Sequence, residues 1–158
     1  MREILIYLKK MTLLIRNFTK NRVDAKRLER VSDAVLSSEK IRGKTEVSLV
    51  FTGEKRIRGL NRNYRGVDRV TDVLSFEGEN EDGFISPEDG ISYLGEIFIC
   101  YPRAKMQAKE KGYPLRKEID ILFVHGLFHL LGYDHVKDED YEAMHGKEEK
   151  VLGKLYEE

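Results

Sequence analysis

Short runs of alternating or clustered apolar residues divide the chain into predicted strands and helices. β-Branched and aliphatic residues recur over 2–8 and 11–16, which predicts a strand or a hairpin there. A helix is predicted from the cap residue Asp24 to about Ser38, because apolar positions recur every three or four residues. Alternating patterns predict three further strands, over 45–51, 71–76 and 93–100.

The remaining apolar positions recur with the period of a helix. One helix opens at Thr52 or Gly53 and ends beside Gly66. Its predicted apolar stripe consists of Ile57, Leu60 and Tyr64. Three more helices are predicted over 102–111, 115–132 and 139–156. Because strands lead repeatedly into helices, the predicted fold class is α/β or α+β, a small mixed, mostly parallel sheet with flanking helices.

Length and charge limit the classes of protein to which this chain can belong. The 158 residues fit a single domain, which we expect to span 1–158. Lys plus Arg and Asp plus Glu both number 28, which argues against a globally basic nucleic-acid-binding protein but leaves local patches open. An acidic segment, 77–90, has six carboxylates and no basic residue and is predicted to be a mobile surface loop. No apolar run suits a signal peptide or a membrane span, and Cys100 is the single cysteine, so a cytoplasmic protein is expected.

Three of the four histidines lie close together, at His125, His129 and His135. Residues four apart on a helix share one face, so His125 and His129 can reach a single cation. Gly132 can adopt the left-handed conformation that ends a helix, which lets the chain turn back and bring His135 as a third ligand. Three imidazoles leave one coordination position open, a pattern typical of catalytic zinc. The sequence therefore predicts one metal ion per chain, Zn²⁺ or another divalent ion.

The apolar helix allows a second interpretation of these histidines. A single histidine on such a helix is more often a core residue than a ligand, but two at this spacing would each bury a polar ring. Metalloproteases with the same histidine spacing carry a glutamate directly after the first histidine, where it is the general base. Gly126 occupies that position in this chain. Peptide hydrolysis by that route is therefore not expected.

Four motifs resemble the YbeY family of rRNA maturation factors. They lie at 61–66, 71–76, 94–100 and 125–135. The resemblance implies a fold similar to the metzincin core, with a metal-binding helix whose histidines hold an ion usually taken as zinc. It also places the arginine of the family's Tyr-Arg motif at Arg65. Glu77 stands where the family often has proline, which affects only the expected path of the following loop.

The resemblance implies a metal-dependent, single-strand-specific endoribonuclease of rRNA maturation, at the 16S 3′ end, and of ribosome quality control. The implied partners are ribosomal RNA and ribosomal subunits, with no membrane and no small-molecule cofactor. The residues expected to act in catalysis are Arg65 and His125. Two alternatives stay open: a zincin-like metallohydrolase such as a peptidase, against which Gly126 argues, and a non-catalytic ribosome-assembly factor stabilised by its metal.

Clusters of basic residues support an RNA substrate. One cluster consists of Lys55, Arg56, Arg58, Arg62, Arg65 and Arg69, and a second lies within 103–117. Helical spacing predicts one common face for Arg58, Arg62 and Arg65. A guanidinium there can bind a phosphate through two parallel hydrogen bonds. A solvated helix face explains most of these residues equally well.

Several polar residues near the motifs have separate expected roles. Asp72 is a candidate for the site, and Asp134 is expected to orient an imidazole. Glu118 and Asp120 are expected to be N-terminal charges that complement the dipole of the apolar helix. The fourth histidine, His145, is expected on the surface of the charged C-terminal helix.

Overall fold

The computed structural model describes residues 11–41, 43–78, 91–134 and 137–156. The predicted strand over 2–8, most of the acidic segment 77–90 and His135 lie outside these ranges. Within them the elements are β1 (Met11–Asn17), α1 (Ala25–Ser38), β2 (Lys44–Thr52), α2 (Glu54–Arg65), β3 (Val73–Glu77), β4 (Ile91–Cys100), α3 (Tyr101–Lys111), α4 (Leu115–Leu130) and α5 (Asp138–Leu155). These bounds agree with the predicted elements to within about two residues, and the α+β fold class is confirmed.

The four strands form one mostly parallel sheet, in the order β1-β2-β4-β3. β1 pairs with β2 and β2 with β4 in parallel, whereas β3 pairs with β4 antiparallel. Parallel neighbours need a crossover connection, and α1 supplies it between β1 and β2. β3 is therefore the edge strand that borders the site described below.

Local sequence explains where two helices begin and end. The Asp24 side chain accepts a hydrogen bond from the backbone N–H of Arg27 and caps α1. α2 stops at Arg65 because Gly66 adopts a left-handed conformation, with φ of 72°. The cap at each end fixes the direction in which the chain leaves the helix.

Each face of the sheet packs against different helices. Val47, Leu49 and Phe51 belong to the main core, with α1, α4 and α5. A smaller cluster on the other face contains Ile57, Leu74 and Cys100. Among the described residues, no helix is both long and apolar enough to cross a membrane.

Gly95 marks an irregularity where β4 approaches its neighbours closely. The register of β2 against β4 shifts between Glu46 and Val47, and Gly95 has φ of 138°. A Cβ at Gly95 would lie 2.2 Å from the carbonyl oxygen of Phe76 and 2.9 Å from Leu130 Cδ2. Only glycine therefore lets β3, β4 and the end of α4 meet at this point.

Candidate metal centre and active-site cleft

His125 and His129 occupy the same face of α4, as their spacing predicts. Their Nε2 atoms lie 3.1 Å apart, and their rings meet edge to face with centroids 4.6 Å apart. Two imidazoles that bind one tetrahedral ion at about 2.1 Å place their nitrogens roughly 3.4 Å apart. The observed separation fits a divalent cation shared by both rings.

A carboxylate from α5 orients the first of these rings. Glu148 Oε1 lies 2.8 Å from His125 Nδ1, and only 12% of the Glu148 side chain is exposed. Because a carboxylate only accepts hydrogen bonds, Nδ1 is the ring atom that donates, and Nε2, which faces His129, is the atom that could bind a metal. Sequence reasoning missed Glu148, since α5 carries many acidic residues and their spacing distinguishes none of them. The orienting role expected of Asp134 stays a prediction.

The turn after α4 has the conformation that the sequence predicts. α4 ends at Leu130, and Gly132 adopts a left-handed φ of 100°. The backbone N–H of Gly132 donates to the carbonyl oxygen of His129 at 3.0 Å and closes the turn. His135 lies beyond the described part of the turn, so its place as third ligand stays a prediction. Over the described ranges alone, no three His, Cys, Asp or Glu residues form a metal-binding group.

Arg65 reaches the same region from the end of α2. Its Nη2 donates a hydrogen bond to the carbonyl oxygen of Ser75 at 2.6 Å, and its guanidinium carbon lies 5.2 Å from the ring centroid of Phe76. Arg65 and His129 together line two adjoining cavities of about 400 and 480 Å³. The fold thus brings the predicted arginine and the histidines of α4 to one cleft.

The cleft is lined by β3 and the residues just before it, by α4 and by the turn after α4. The first cavity is lined by Arg65, residues 71–75, His125, Gly126 and His129. The second is lined by Arg65, residues 75–77, His129 and residues 132–134. Three carboxylates lie on these walls, Asp72 in the first cavity and Glu77 and Asp134 in the second.

A chain of hydrogen bonds fixes Asp72 in the first cavity. Asp72 Oδ1 accepts from the backbone N–H of Val73 at 2.8 Å, and Oδ2 accepts from Gln107 Nε2 at 3.3 Å. The same Gln107 nitrogen donates to Glu118 Oε1 at 3.1 Å. One amide therefore joins the carboxylate in the cleft to a carboxylate in the protein interior. Sequence reasoning missed Gln107, because nothing local to α3 indicates this partner.

The prediction of helix N-terminal charges holds for Glu118, which lies in the first turn of α4, but not for Asp120, and both carboxylates are buried in ion pairs that the sequence did not indicate. Both side chains are 1% exposed. Lys111 Nζ lies 3.3 Å from Glu118 Oε1, and Arg27 Nη2 lies 2.6 Å from Asp120 Oδ2. A buried carboxylate needs such a partner because removal from water strongly destabilises its charge. Arg27 lies 93 residues before Asp120, so their spacing could not show the pair.

Two tyrosine hydroxyls also donate to these buried carboxylates. The Tyr113 hydroxyl donates to Glu118, and the Tyr156 hydroxyl donates to Asp120 Oδ2 at 2.5 Å. Burial, assisted by the hydrogen bond to Asp120, raises the pKa of Tyr156 to about 12. Burial and the bond to Glu118 likewise raise the pKa of Tyr113. Both hydroxyls therefore stay protonated donors at neutral pH.

Gly126 has a packing role at the position where metalloproteases carry their general base. A Cβ at Gly126 would lie 2.9 Å from Ile97 Cγ2 on β4. Both residues are buried, so a side chain at position 126 would have to displace the core of the sheet. The close approach of α4 to β4 therefore explains why this position holds glycine.

The three arginines predicted to share one face of α2 lie at i, i+4 and i+7 of that helix, but their side chains have different partners. Arg58 Nε donates to Asp68 Oδ1 at 2.9 Å, and Arg62 Nη1 lies 3.8 Å from the same oxygen. The hydrogen bond from Arg58 lowers the pKa of Asp68. Arg65 contacts Ser75 instead. Arg58 and Arg62 therefore pair with Asp68 while Arg65 reaches the cleft, because spacing along a helix does not determine which partners long side chains find.

The fold and the site together define a class of protein. It is an α+β domain whose mostly parallel sheet packs against a helix that presents two histidines, four residues apart, to a cleft with an arginine on the opposite side. The family model described as "Endoribonuclease YbeY" matches residues 14–156 of this chain. The chain belongs to the endoribonuclease YbeY family.

Individual relatives agree with this assignment. The chain is 42% identical over 134 residues to endoribonuclease YbeY of Roseiflexus castenholzii, which covers 84% of each protein. It is 45% identical over 128 residues to endoribonuclease YbeY of Pelotomaculum thermopropionicum, covering 81% of this chain and 84% of the relative. The solution structure of TM1509 from Thermotoga maritima superposes with a TM-score of 0.62 at 29% identity, over 92% of this chain and 89% of that one.

Proposed function

We propose that this protein is a metal-dependent endoribonuclease that hydrolyses phosphodiester bonds in single-stranded RNA. Membership of the endoribonuclease YbeY family supports the reaction class. The observation that carries the proposal is the composition of the first cavity. His125 and His129, with their Nε2 atoms 3.1 Å apart, line it together with the guanidinium of Arg65. The residues that we assign to the cation and to the phosphate thus line one cavity.

The metal in this proposal is one Zn²⁺ or another divalent ion held by His125, His129 and His135. The separation of the two Nε2 atoms and the orienting carboxylate of Glu148 support the first two ligands. The spacing of the sequence supports the third. When bound, the ion supplies Lewis-acid polarisation of the scissile phosphate and of the attacking water.

Arg65 is the residue that we assign to the phosphate. Its guanidinium can donate two parallel hydrogen bonds to phosphate oxygens and stabilise the charge that develops on them. Its hydrogen bond to the Ser75 carbonyl oxygen uses one of the five N–H donors of the guanidinium, and a bond to an anionic phosphate oxygen pairs two charged groups where the bond to Ser75 has one. His125, held by Glu148, keeps a fixed direction toward the same cavity.

The edge of β3 argues against a peptidase. Even-numbered positions of this strand region form the hydrogen bonds to β4. The N–H of Cys100 donates to the carbonyl of Asp72, and the N–H of Gly78 donates to the carbonyl of Leu94. Odd-numbered positions therefore turn their backbone groups outward. Two of those groups already have partners: the N–H of Val73 donates to Asp72 Oδ1, and the carbonyl of Ser75 accepts from Arg65. An extended peptide could not pair with this edge without displacing both.

The biological setting in this proposal is rRNA maturation, at the 16S 3′ end, and ribosome quality control, with ribosomal subunits as partners and the cytoplasm as compartment. The resemblance of four motifs to the family supports this setting. Cys100 is the single cysteine, and a chain that can form no internal disulfide suits a reducing compartment. A non-catalytic assembly factor is less favoured, because it would not require an arginine opposite the histidines.

Cleavage before and after metal removal tests the proposal. Purified protein is analysed for metal and incubated with matched single-stranded and duplex fragments of rRNA, with and without a chelator. We expect internal cleavage of the single-stranded fragment, its loss after chelation and its recovery after Zn²⁺ is added back. Undiminished cleavage by fully metal-free protein would contradict the metal dependence. A metal-loaded protein that binds rRNA without cleaving it would favour the assembly factor.

A further inference from the structure

Tyr64 is a prominently exposed aromatic residue beside the cleft. Its exposed fraction is 68%, although sequence reasoning placed it on the apolar stripe of α2 with the buried Ile57. The Tyr64 ring meets the Phe76 ring edge to face, with centroids 5.4 Å apart. Phe76 in turn meets Phe98 edge to face at 5.8 Å. The Tyr64 ring thus rests on an aromatic support while most of the residue faces solvent.

The other exposed aromatic rings in the described ranges have faces that are already covered by a neighbouring side chain. The guanidinium of Arg56 covers the Phe18 ring at 4.0 Å. Tyr141 stacks nearly parallel on His145, with 10° between the ring planes. Each of these rings has a planar group over its face, whereas the contact of Tyr64 with Phe76 has 64° between the planes. Edge-to-face contact leaves aromatic surface for a further planar group.

Tyr64 and Arg65 converge on the same ring. The Arg65 guanidinium carbon lies 5.2 Å from the Phe76 centroid, the ring that Tyr64 also contacts. Phe76 and Arg65 both line the second cavity with His129. Tyr64 therefore adjoins the cleft directly at the residue that we assign to phosphate binding.

We propose that Tyr64 is a stacking platform for one unpaired base of the RNA substrate, next to the phosphate bound by Arg65. This inference rests on the proposed function and gives the cleft a means of selecting single strands. A base in single-stranded RNA can turn out and stack on an aromatic side chain, whereas a duplex base is already stacked and paired. Because every base has a π-face, the platform selects unpaired structure with little preference for sequence.

A tryptophan probe tests the platform directly, because the chain contains no Trp. The Tyr64→Trp variant places the single indole at the proposed subsite. The Tyr141→Trp variant is the matched control, since Tyr141 is half exposed on α5 and lies outside the lining of the cleft. Each metal-loaded variant is mixed in a stopped-flow instrument with a short single-stranded RNA or the corresponding duplex. Emission is read before cleavage products accumulate, and the anisotropy of a dye on the RNA reports binding independently.

We expect the single strand to quench Tyr64→Trp emission as it binds, while the duplex leaves this emission unchanged and neither RNA quenches Tyr141→Trp. Binding of the single strand, seen by anisotropy, without quenching of Tyr64→Trp would overturn the platform and leave the proposed function standing. Equal quenching by the duplex would also overturn it. If the unsubstituted protein binds no RNA, the proposed function fails and this subsite fails with it.

Two further variants separate stacking from structural support. Tyr64→Ala should raise KM for the single-stranded RNA by at least about fivefold, the low end expected for loss of one base stack. Tyr64→Phe keeps the ring and should retain the original KM, with both variants keeping the melting temperature of the unsubstituted protein. An unchanged KM in Tyr64→Ala, or an equal increase in Tyr64→Phe, would contradict a stacking role.

Discussion

The two described imidazoles of the candidate metal centre are positioned by their helix and, for His125, by a carboxylate. The helical spacing places His125 and His129 on one face, while Glu148 on another helix sets which nitrogen of His125 carries the proton. The fourth histidine, His145, is exposed on α5 as expected and pairs with Glu149 at 3.1 Å. His145 thus provides a matched control for substitutions in the metal centre.

Replacement of His129 by Ala should abolish stoichiometric metal binding, because two imidazoles alone form a weak site. Replacement of His145 by Ala should leave one equivalent bound. Metal content of the two purified variants, measured by elemental mass spectrometry after extensive dialysis, checks this prediction. A full equivalent of tightly bound metal in His129→Ala would show that the assigned site is wrong.

The rate of RNA cleavage should depend on the Arg65 side chain, whereas the stability of the fold should not. Arg65→Ala should keep its metal and its melting temperature, since exposed truncations usually change the free energy of unfolding by about 0.5 kcal/mol or less. Its cleavage rate should fall on the order of 100-fold, as for loss of one transition-state donor. Arg65→Lys should recover part of that rate, because an ammonium keeps the charge without the two-pronged geometry.

Arg62→Ala is the control for Arg65, because Arg62 is also exposed on α2 but lies beside Asp68. Single-turnover cleavage and thermal unfolding are measured for each variant. If Arg65→Ala cleaves RNA normally, Arg65 has no part in the mechanism. If its melting temperature falls sharply, the hydrogen bond to Ser75 has a structural role instead.

Among the elements, the contact of α4 with β4 depends on Gly126. Gly126→Ala should lower the free energy of unfolding by about 1 kcal/mol, because crowding against Ile97 outweighs the gain in helix propensity. In an Ile97→Ala background the crowding atoms are gone, so the same change should become neutral or stabilising. Urea unfolding of the four proteins in this cycle gives the coupling between the sites. Additive effects would show that Ile97 is not the obstacle.

The contact of α4 with β4 also determines the effect of restoring the metalloprotease signature by substitution. Gly126→Glu recreates the protease string but places a charged side chain against a buried face of β4. Peptide hydrolysis also needs a free strand edge to align the substrate, and the outward groups of Val73 and Ser75 have partners already. We expect this variant to be destabilised and inactive on generic peptides. Vigorous peptide cleavage would show a protease that lacked only its base.

At the scale of the whole molecule, the cluster of Arg27, Asp120 and Tyr156 joins α1, α4 and the end of α5. The pKa of Tyr156 is raised from 10.0 to about 12, so the folded state holds this proton more tightly than the unfolded state. The stability that Tyr156 contributes is fully present below about pH 10 and is lost as pH rises through about 12. Stability should therefore fall with pH across this window.

Tyr156→Phe checks this alkaline prediction. The absorbance of tyrosinate near 295 nm should show a late titration near pH 12 in the unsubstituted protein, and the variant should lose the share of it that belongs to one tyrosine. The variant should also lose part of the fall in stability between about pH 10 and 12. An unchanged titration curve would assign the late proton to another tyrosine, Tyr113 being the one with the same kind of partner.

Local patterns in the sequence determined the secondary structure and the histidines that share a face. The period of apolar residues gave the helices and strands, and Gly66 and Gly132 ended α2 and α4 because their left-handed conformations are local properties. The i, i+4 spacing placed His125 and His129 together for the same reason. Each of these features depends on residues within about one helical turn of one another.

Only the tertiary structure decided which distant groups meet. The strand order, the approach of β4 that requires Gly126, and the partner of His125 on α5 join segments far apart along the chain. Spacing placed Tyr64 in the apolar stripe and Glu118 near a helix terminus, but it did not show that Tyr64 is 68% exposed or that Glu118 is buried against α3. Long side chains choose partners by position in space, and burial depends on what other elements cover. The residues next to a side chain in the sequence therefore determine neither its partner nor its burial.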